Sequence, residues 1–158
     1  MSGRELDVVV TSGTGTAPTE LVAFDAALEA AAVAHLNLIR LSSRIPPRSR
    51  VNVPQRWSAL AGAWGDRLFR VYAEHRVSAS GEPVGAGLGW VQQEKTGAGV
   101  LVEHHGDDQS AVEAQPKATP DDLAARRPGR YRGAAWGIAC AGCGIAAVVV
   151  AAIRVEPW

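Results

Sequence analysis

The sequence predicts an α+β sandwich of mainly antiparallel strands, and three observations point to it. Stretches with the alternation or apolar density of β-strands outnumber those with helical periodicity. Most of these strands follow one another through glycine- and proline-bearing turns instead of alternating with helices, which argues against a parallel, doubly wound sheet. The 158 residues, 47% hydrophobic and 20% charged, suit one domain, 1–158, with its own core.

Leu6 to Thr11 reads as a buried strand, Gly13-Thr14-Gly15 as a loop, and the stretch from about Pro18 to Ala34 as a helix. Thr16 is placed to cap that helix, Pro18 suits its first turn, and Glu20 lies near the positive end of its dipole. Leu21, Phe24, Leu28 and Ala32 recur at helical spacing and are expected to face the core. Asp25 then lies against that apolar stripe, where a carboxylate needs either a local arginine or a ligand. In the next strand, Leu36 to Leu41, alternation puts Asn37, Ile39 and Leu41 on one face. Asn37 there either satisfies backbone groups or orients a reacting carbonyl.

That strand runs directly into Ser42-Ser43 and, after Arg44-Ile45, the rigid turn Pro46-Pro47. A serine hydroxyl held against the preceding carbonyl can attack it, so this is a place where a chain can cut itself. Arg48 to Gln55 reads as a basic, exposed loop. Leu68 to Val77, Val84 to Gln92 and Gly99 to His105 read as strands. Gly85, Gly87 and Gly89 indicate close backbone packing or bulges, because no helix pattern follows to make a phosphate loop. Asp107 to Arg130 is broken by Pro116, Pro120 and Pro128, with a short capped helix expected from Thr119 to Arg127. Residues 133 to 155 read as a closing hairpin.

Several function classes lose support. Sixteen basic residues balance sixteen acidic ones, so no net field favours nucleic acid or an anionic membrane. The start, Met1 to Asp7, lacks a secretory pattern, which makes a cytoplasmic setting the expectation. Cys140 and Cys143 form one Cys-x-x-Cys pair without the second pair a structural zinc needs, and are read as buried or turn-flanking thiols. The uncharged run from Ala134 to Ile153 is long enough to span a bilayer, but its Ala, Gly, Val and Ile content suits two buried strands better. Alternation separates His104 from Glu103 and His105, so the three do not make a metal site by themselves. Glu103 closes the apolar run Val100-Leu101-Val102, where partial desolvation would suit a carboxyl group to proton donation.

Gly13-Thr14-Gly15, Thr19 to Leu28 and Leu36 to Pro47 together resemble the pyruvoyl-dependent arginine decarboxylases, most strongly over residues 11 to 47. The resemblance implies an αββα-type sandwich and a proenzyme cleaved between Ser42 and Ser43, giving a β chain, 1–42, and an α chain, 43–158. The cofactor would be a covalent pyruvoyl group derived from Ser43, working through a Schiff base with an amino-acid substrate and requiring no external cofactor. By the same resemblance Glu103 is the proton donor, Asn37 stands beside the cleavage site, Asp25 receives the substrate guanidinium, and Leu21 lines the side-chain pocket. It also implies a homotrimer or dimer of trimers with shared active sites, and no nucleic-acid or membrane partner.

The chain departs from the family pattern at three places. Ala32-Val33-Ala34-His35 replaces a glycine-rich helix exit, Arg44 replaces an apolar residue after the serines, and prolines interrupt the long helix that follows the glutamate. The leading expectation is conversion of arginine to agmatine and carbon dioxide. The alternatives are a decarboxylase for another amino acid and a non-catalytic subunit or assembly protein of the same descent.

Overall fold

Two β-sheets lie face to face, and one helix covers the outer side of each, in the computed structural model, which describes residues 5–55, 61–77, 83–107, 109–140 and 145–158. The layers therefore run helix, sheet, sheet, helix, as the αββα reading expects. In chain order the elements are β1 (Leu6–Gly15), α1 (Glu20–Ala30), β2 (Asn37–Arg40), β3 (Arg44–Ile45), β4 (Ser49–Asn52), β5 (Arg67–Arg76), β6 (Val84–Gln93), β7 (Gly99–Gly106), α2 (Gln109–Ala125), β8 (Tyr131–Cys140) and β9 (Ala146–Glu156). The first sheet has the order β2-β5-β9-β1-β4 and the second β3-β7-β6-β8. Among the described residues only β1 with β4 and β2 with β5 pair in parallel, and the other five pairings are antiparallel.

The core forms where the sheets meet. Val8, Val10, Leu68, Val71, Leu88, Leu101, Val148 and Val150 are fully or almost fully buried and belong to one hydrophobic cluster. Strand β9 is buried from Ala146 to Ile153 because it lies between β1 and β5. Strand β8 pairs instead with β6, in the other sheet. The expected 133–155 hairpin is thus corrected: its two arms are strands of different sheets and do not pair with each other. The run read as bilayer-length is divided between them, and among the described residues no helix is long and apolar enough to cross a membrane. The Cys140 side chain and Cys143 lie outside the described residues.

Both helices sit close to their sheets through glycines. An added Cβ on Gly15 would lie 2.0 Å from the Ala23 carbonyl oxygen of α1. The expected Gly-Thr-Gly loop is instead the last three residues of β1, paired to β9 through Gly15 opposite Ala146, with glycines where α1 lies against the strand. Helix α2 shows the same logic and corrects the expected short helix, since it runs unbroken through Pro116 and Pro120. Each proline lacks an N–H, which frees the carbonyls of Val112 and Pro116 four residues earlier. Those oxygens face β6, where a Cβ on Gly87 would lie 3.1 Å from Val112 O and one on Gly89 2.1 Å from Pro116 O. Glycine Cα–H groups are weak donors for the freed carbonyls, so prolines in the helix and glycines in the strand are a matched set.

Three smaller expectations also change. Thr19, not Thr16, caps α1, its hydroxyl accepting from Val22 N at 3.3 Å. The helix ends at Ala30 rather than Ala34, because Ala32 takes φ +63° and the bonds Ala32 N to Glu29 O and Val33 N to Leu28 O close a Schellman motif. The expected loop after Arg48 contains β4, a four-residue edge strand whose Val51 pairs with Val8. Such a short, arginine-bearing edge carries too little alternation to be read from sequence.

Candidate active site

The chain passes from one sheet to the other at Ser42 and Ser43. Upstream, β2 lies at the edge of the first sheet, and Leu41 N donates to Arg70 O of β5 at 2.9 Å. Downstream, Ser43 O accepts from Leu101 N of β7 at 3.0 Å, and β3 pairs with β7 through Arg44 opposite Val100. The Ser42–Ser43 peptide is therefore clamped on both sides, one to each sheet. The chain bends at Ser43, and Arg44 N donates to the Ser42 carbonyl oxygen at 2.5 Å.

At this crossing the Ser43 hydroxyl donates to Glu103 Oε1 at 3.3 Å, with Glu103 brought from β7 of the second sheet. The other carboxylate oxygen, Oε2, lies 3.7 Å from Arg40 Nη2. The Glu103 side chain is only 24% exposed, whereas that of Arg40 is 68% exposed and reaches over from β2. Ser42, Ser43, Leu41, Arg40 and Glu103 line an open cleft of about 400 Å³. A second cleft of about 340 Å³ shares Arg40 and Glu103 with it and adds Tyr72, Glu74 and His105.

Around these clefts the charges are fixed in layers. Arg70 stands in register with Arg40, is 6% exposed, and holds its guanidinium 3.6 Å from the centre of the Tyr72 ring. Desolvation by burial pushes Arg70 below the ordinary arginine value, Tyr72 opposes this, and Arg40 adds to the lowering. Tyr72 meets Phe24 of α1 at 6.3 Å, and the Arg76 guanidinium lies 3.8 Å from the Phe24 ring while pairing with Glu74 at 2.9 Å. On the other side, His105 stacks on His75 at 5.7 Å, and His75 Nε2 lies 3.6 Å from Asp107 Oδ1. His104 is held under α2, where burial lowers its pKa, a hydrogen bond with Gln115 opposes the shift, and His105 adds to it.

Of the residues singled out from sequence, Ser42, Ser43 and Glu103 are brought together. Asn37 is at the opposite end of β2, exposed, with its Nδ2 donating to Gly65 O at 2.5 Å. Up to roughly 20 Å of extended chain separates it from Ser43. Leu21 and Asp25 line neither cleft. Leu21 was expected in the core stripe and is 71% exposed; Asp25, expected against that stripe, is exposed as well. The stripe is narrower than it reads, because Ala23, Ala27 and Leu28 are the buried residues of α1 and alanines let the helix sink onto Gly13 and Gly15. Arg40, Tyr72 and Glu74 escaped sequence reasoning. The one available signal was Arg40, a lone charge in the apolar run Leu38-Ile39-Arg40-Leu41 immediately before the serines.

Comparison with known proteins gives a consistent picture. The family model described as pyruvoyl-dependent arginine decarboxylase matches residues 7–132. A protein named pyruvoyl-dependent arginine decarboxylase from Halobacterium salinarum is 39% identical over 114 residues, 72% of this chain and 63% of that protein. One of the same name from Picrophilus torridus is 32% identical over 120 residues, 75% of this chain and 64% of the relative. Another, pyruvoyl-dependent arginine decarboxylase 2 from Archaeoglobus fulgidus, is 29% identical over 118 residues, 74% of each chain. The matched region thus spans a little under two thirds of the length of the first two relatives.

Proposed function

The chain belongs to the pyruvoyl-dependent arginine decarboxylase family, and on that premise we propose that it cleaves itself between Ser42 and Ser43 and then decarboxylates arginine to agmatine. The observation that carries this reading is the hydrogen bond from Ser43 Oγ to Glu103 Oε1 at the crossing between the sheets. A nucleophile and a carboxylate 60 residues apart in sequence meet inside a cleft large enough for an amino acid.

The residues present fit a pyruvoyl group at position 43. Ser43 is half-buried, its hydroxyl faces a carboxylate, and the peptide before it is free of either sheet ladder. Such a group supplies a carbonyl that condenses with the substrate amine and accepts the electrons released as carbon dioxide leaves. The chain's own residues do the rest. Glu103, shielded on β7, delivers a proton to the substrate α-carbon, and Arg40 steadies its second oxygen. Asp25 receives the guanidinium in a charge-assisted pair, Leu21 packs against the methylene stem, and Asn37 orients the reacting carbonyl.

Leu21, Asp25 and Asn37 are exposed and stand apart from the Ser43 cleft of their own chain. Together with Val22, also exposed at 53%, Leu21 forms an apolar step on α1. In this reading a neighbouring copy supplies these residues, in a homotrimer or dimer of trimers whose sites are shared. The chain works as one domain processed into 1–42 and 43–158, in the cytoplasm.

The test is the intact mass of the purified protein under denaturing conditions, followed by an assay for agmatine from arginine. Two fragments divided between Ser42 and Ser43, the larger with a blocked amino terminus, are expected; Ser43→Ala should leave a single chain with the fold unchanged. A cut Ser43→Ala chain would overturn the mechanism, and an uncut wild-type chain would favour a non-catalytic subunit.

A further inference from the structure

We infer that the backbone N–H of Arg44 is a catalytic group of the self-cleavage step: it is the oxyanion donor for the Ser42 carbonyl. This rests on the reading of Ser42–Ser43 as the cleavage site and adds to it a group that no side-chain comparison would reveal.

Three hydrogen bonds place the donor. Leu41 N is bound to Arg70 O of the first sheet, and Ser43 O is bound by Leu101 N of the second. Between these anchors the Ser42 carbonyl is paired with neither sheet and instead accepts from Arg44 N at 2.5 Å. This i to i+2 bond is the signature of a γ-turn centred on Ser43, which is where the chain bends. The pairing of Arg44 with Val100 is flanked by the Leu101 N to Ser43 O bond, so the Arg44 N–H faces away from β7 and is not needed by the ladder. The donor is thus already in place on the atom that must take negative charge.

In the step itself, Ser43 Oγ forms a bond to the Ser42 carbonyl carbon, and the carbonyl electron pair moves onto the oxygen held by Arg44 N–H. When that pair returns, the bond from the Ser42 carbon to the Ser43 nitrogen breaks. The hydroxyl proton of Ser43 ends on its own nitrogen, relayed through solvent in the open cleft. The product is an ester between Ser42 and Ser43 with a free amine, and no proton or electron is gained or lost. A fixed donor at the developing oxyanion requires no reorganisation during the step, and loss of one such donor slows acyl transfer by about 100- to 1,000-fold. The assignment also accounts for the tolerance of arginine at position 44, because the group that acts is the main chain and the side chain is exposed.

The experiment is to replace the Arg44 amide by an ester, keeping the arginine side chain, and to follow cleavage by intact mass from the freshly folded proenzyme. We expect cleavage to slow by about 100-fold or more. The ester also weakens the Ser43 carbonyl as acceptor for Leu101, so Arg44→Pro, which removes the N–H and keeps that carbonyl an amide, is measured beside it. The same ester replacement at Ile45 controls for damage to β3 and should leave the rate within a few-fold. Cleavage at the wild-type rate in either Arg44 variant, or equal slowing at Ile45, would overturn the inference. If the wild-type chain itself is never cut, the cleavage-site reading falls instead, and the two failures are distinguishable.

Discussion

Replacing Gly89 by alanine tests the matched packing of α2 on β6, which braces the sheet that carries Glu103. The new Cβ would lie 2.1 Å from Pro116 O, 2.9 Å from Pro116 C and 2.8 Å from Pro120 Cγ. A carbon and a carbonyl oxygen approach to about 3.3 Å at closest comfort, so helix and strand must separate by roughly 1 Å. The obstacle is the α2 backbone at Pro116 and the closed ring of Pro120, and no rotamer change relieves it. Overpacking of this kind costs about 3 kcal/mol, while the stiffer unfolded chain returns about 0.5–1 kcal/mol. The net loss of roughly 2 kcal/mol corresponds to a fall of about 4–8 °C in Tm for a chain of this size. Gly137→Ala is the control, since it lies under the same helix but its Cβ would meet Val112 O at 3.6 Å and the Gly87 Cα at 3.5 Å, ordinary contacts. It should change stability by no more than about 0.5 kcal/mol. Thermal melts of both variants decide the matter: if Gly89→Ala melts with the wild type, the freed carbonyls do not rest on β6 and the account of the helical prolines is wrong.

Ala32→Gly should stabilise the protein, because relief of a left-handed alanine, worth about 1–2 kcal/mol, exceeds the 0.4–1 kcal/mol that glycine adds to unfolded-chain entropy; a lower Tm would contradict this. Asp25→Asn should leave self-cleavage intact and raise KM for arginine about 10- to 100-fold, the worth of one charge-assisted pair, in steady-state agmatine assays. His104 should make stability pH-dependent in one direction. Its folded pKa is lowered from 6.5, so the unfolded chain binds more protons and stability is lost as pH falls through and below about 6.5. Urea midpoints across that range should fall less in His104→Gln than in wild type, and equal slopes would rule the residue out.

What the sequence made legible, and what it hid, follow from the range of the interactions involved. Local chemistry was readable: the strands from Leu68, Val84 and Gly99, the Ser-Ser-Arg-Ile-Pro-Pro exit, and a carboxylate at the end of an apolar strand are all statements about near neighbours. The αββα layering needed the family resemblance as well, since nothing in the run 133–155 tells two strands of different sheets from a hairpin. Prolines 116 and 120 read as helix breakers because their compensation lies in Gly87 and Gly89, some thirty residues away on another element. Arg40 showed in the sequence only as a lone charge in an apolar run, because its meaning comes from Glu103 across the sheet gap and from Arg70 beside it in register.

Leu21 and Asp25 mislead in the opposite sense. Helical spacing gives them a core face, yet Ala23, Ala27 and Leu28 occupy that face and leave the leucine in solvent. A leucine 71% exposed beside an exposed valine and carboxylate leaves apolar surface in water that α1 does not use against its own sheet. It is accounted for if the burial happens between copies, where the same side chain meets a neighbour's cleft and Asp25 meets the substrate held there. In the proposed assembly the periodicity that reads as one core stripe serves two surfaces, one closed by folding through Ala23, Ala27 and Leu28 and the other by a neighbouring copy.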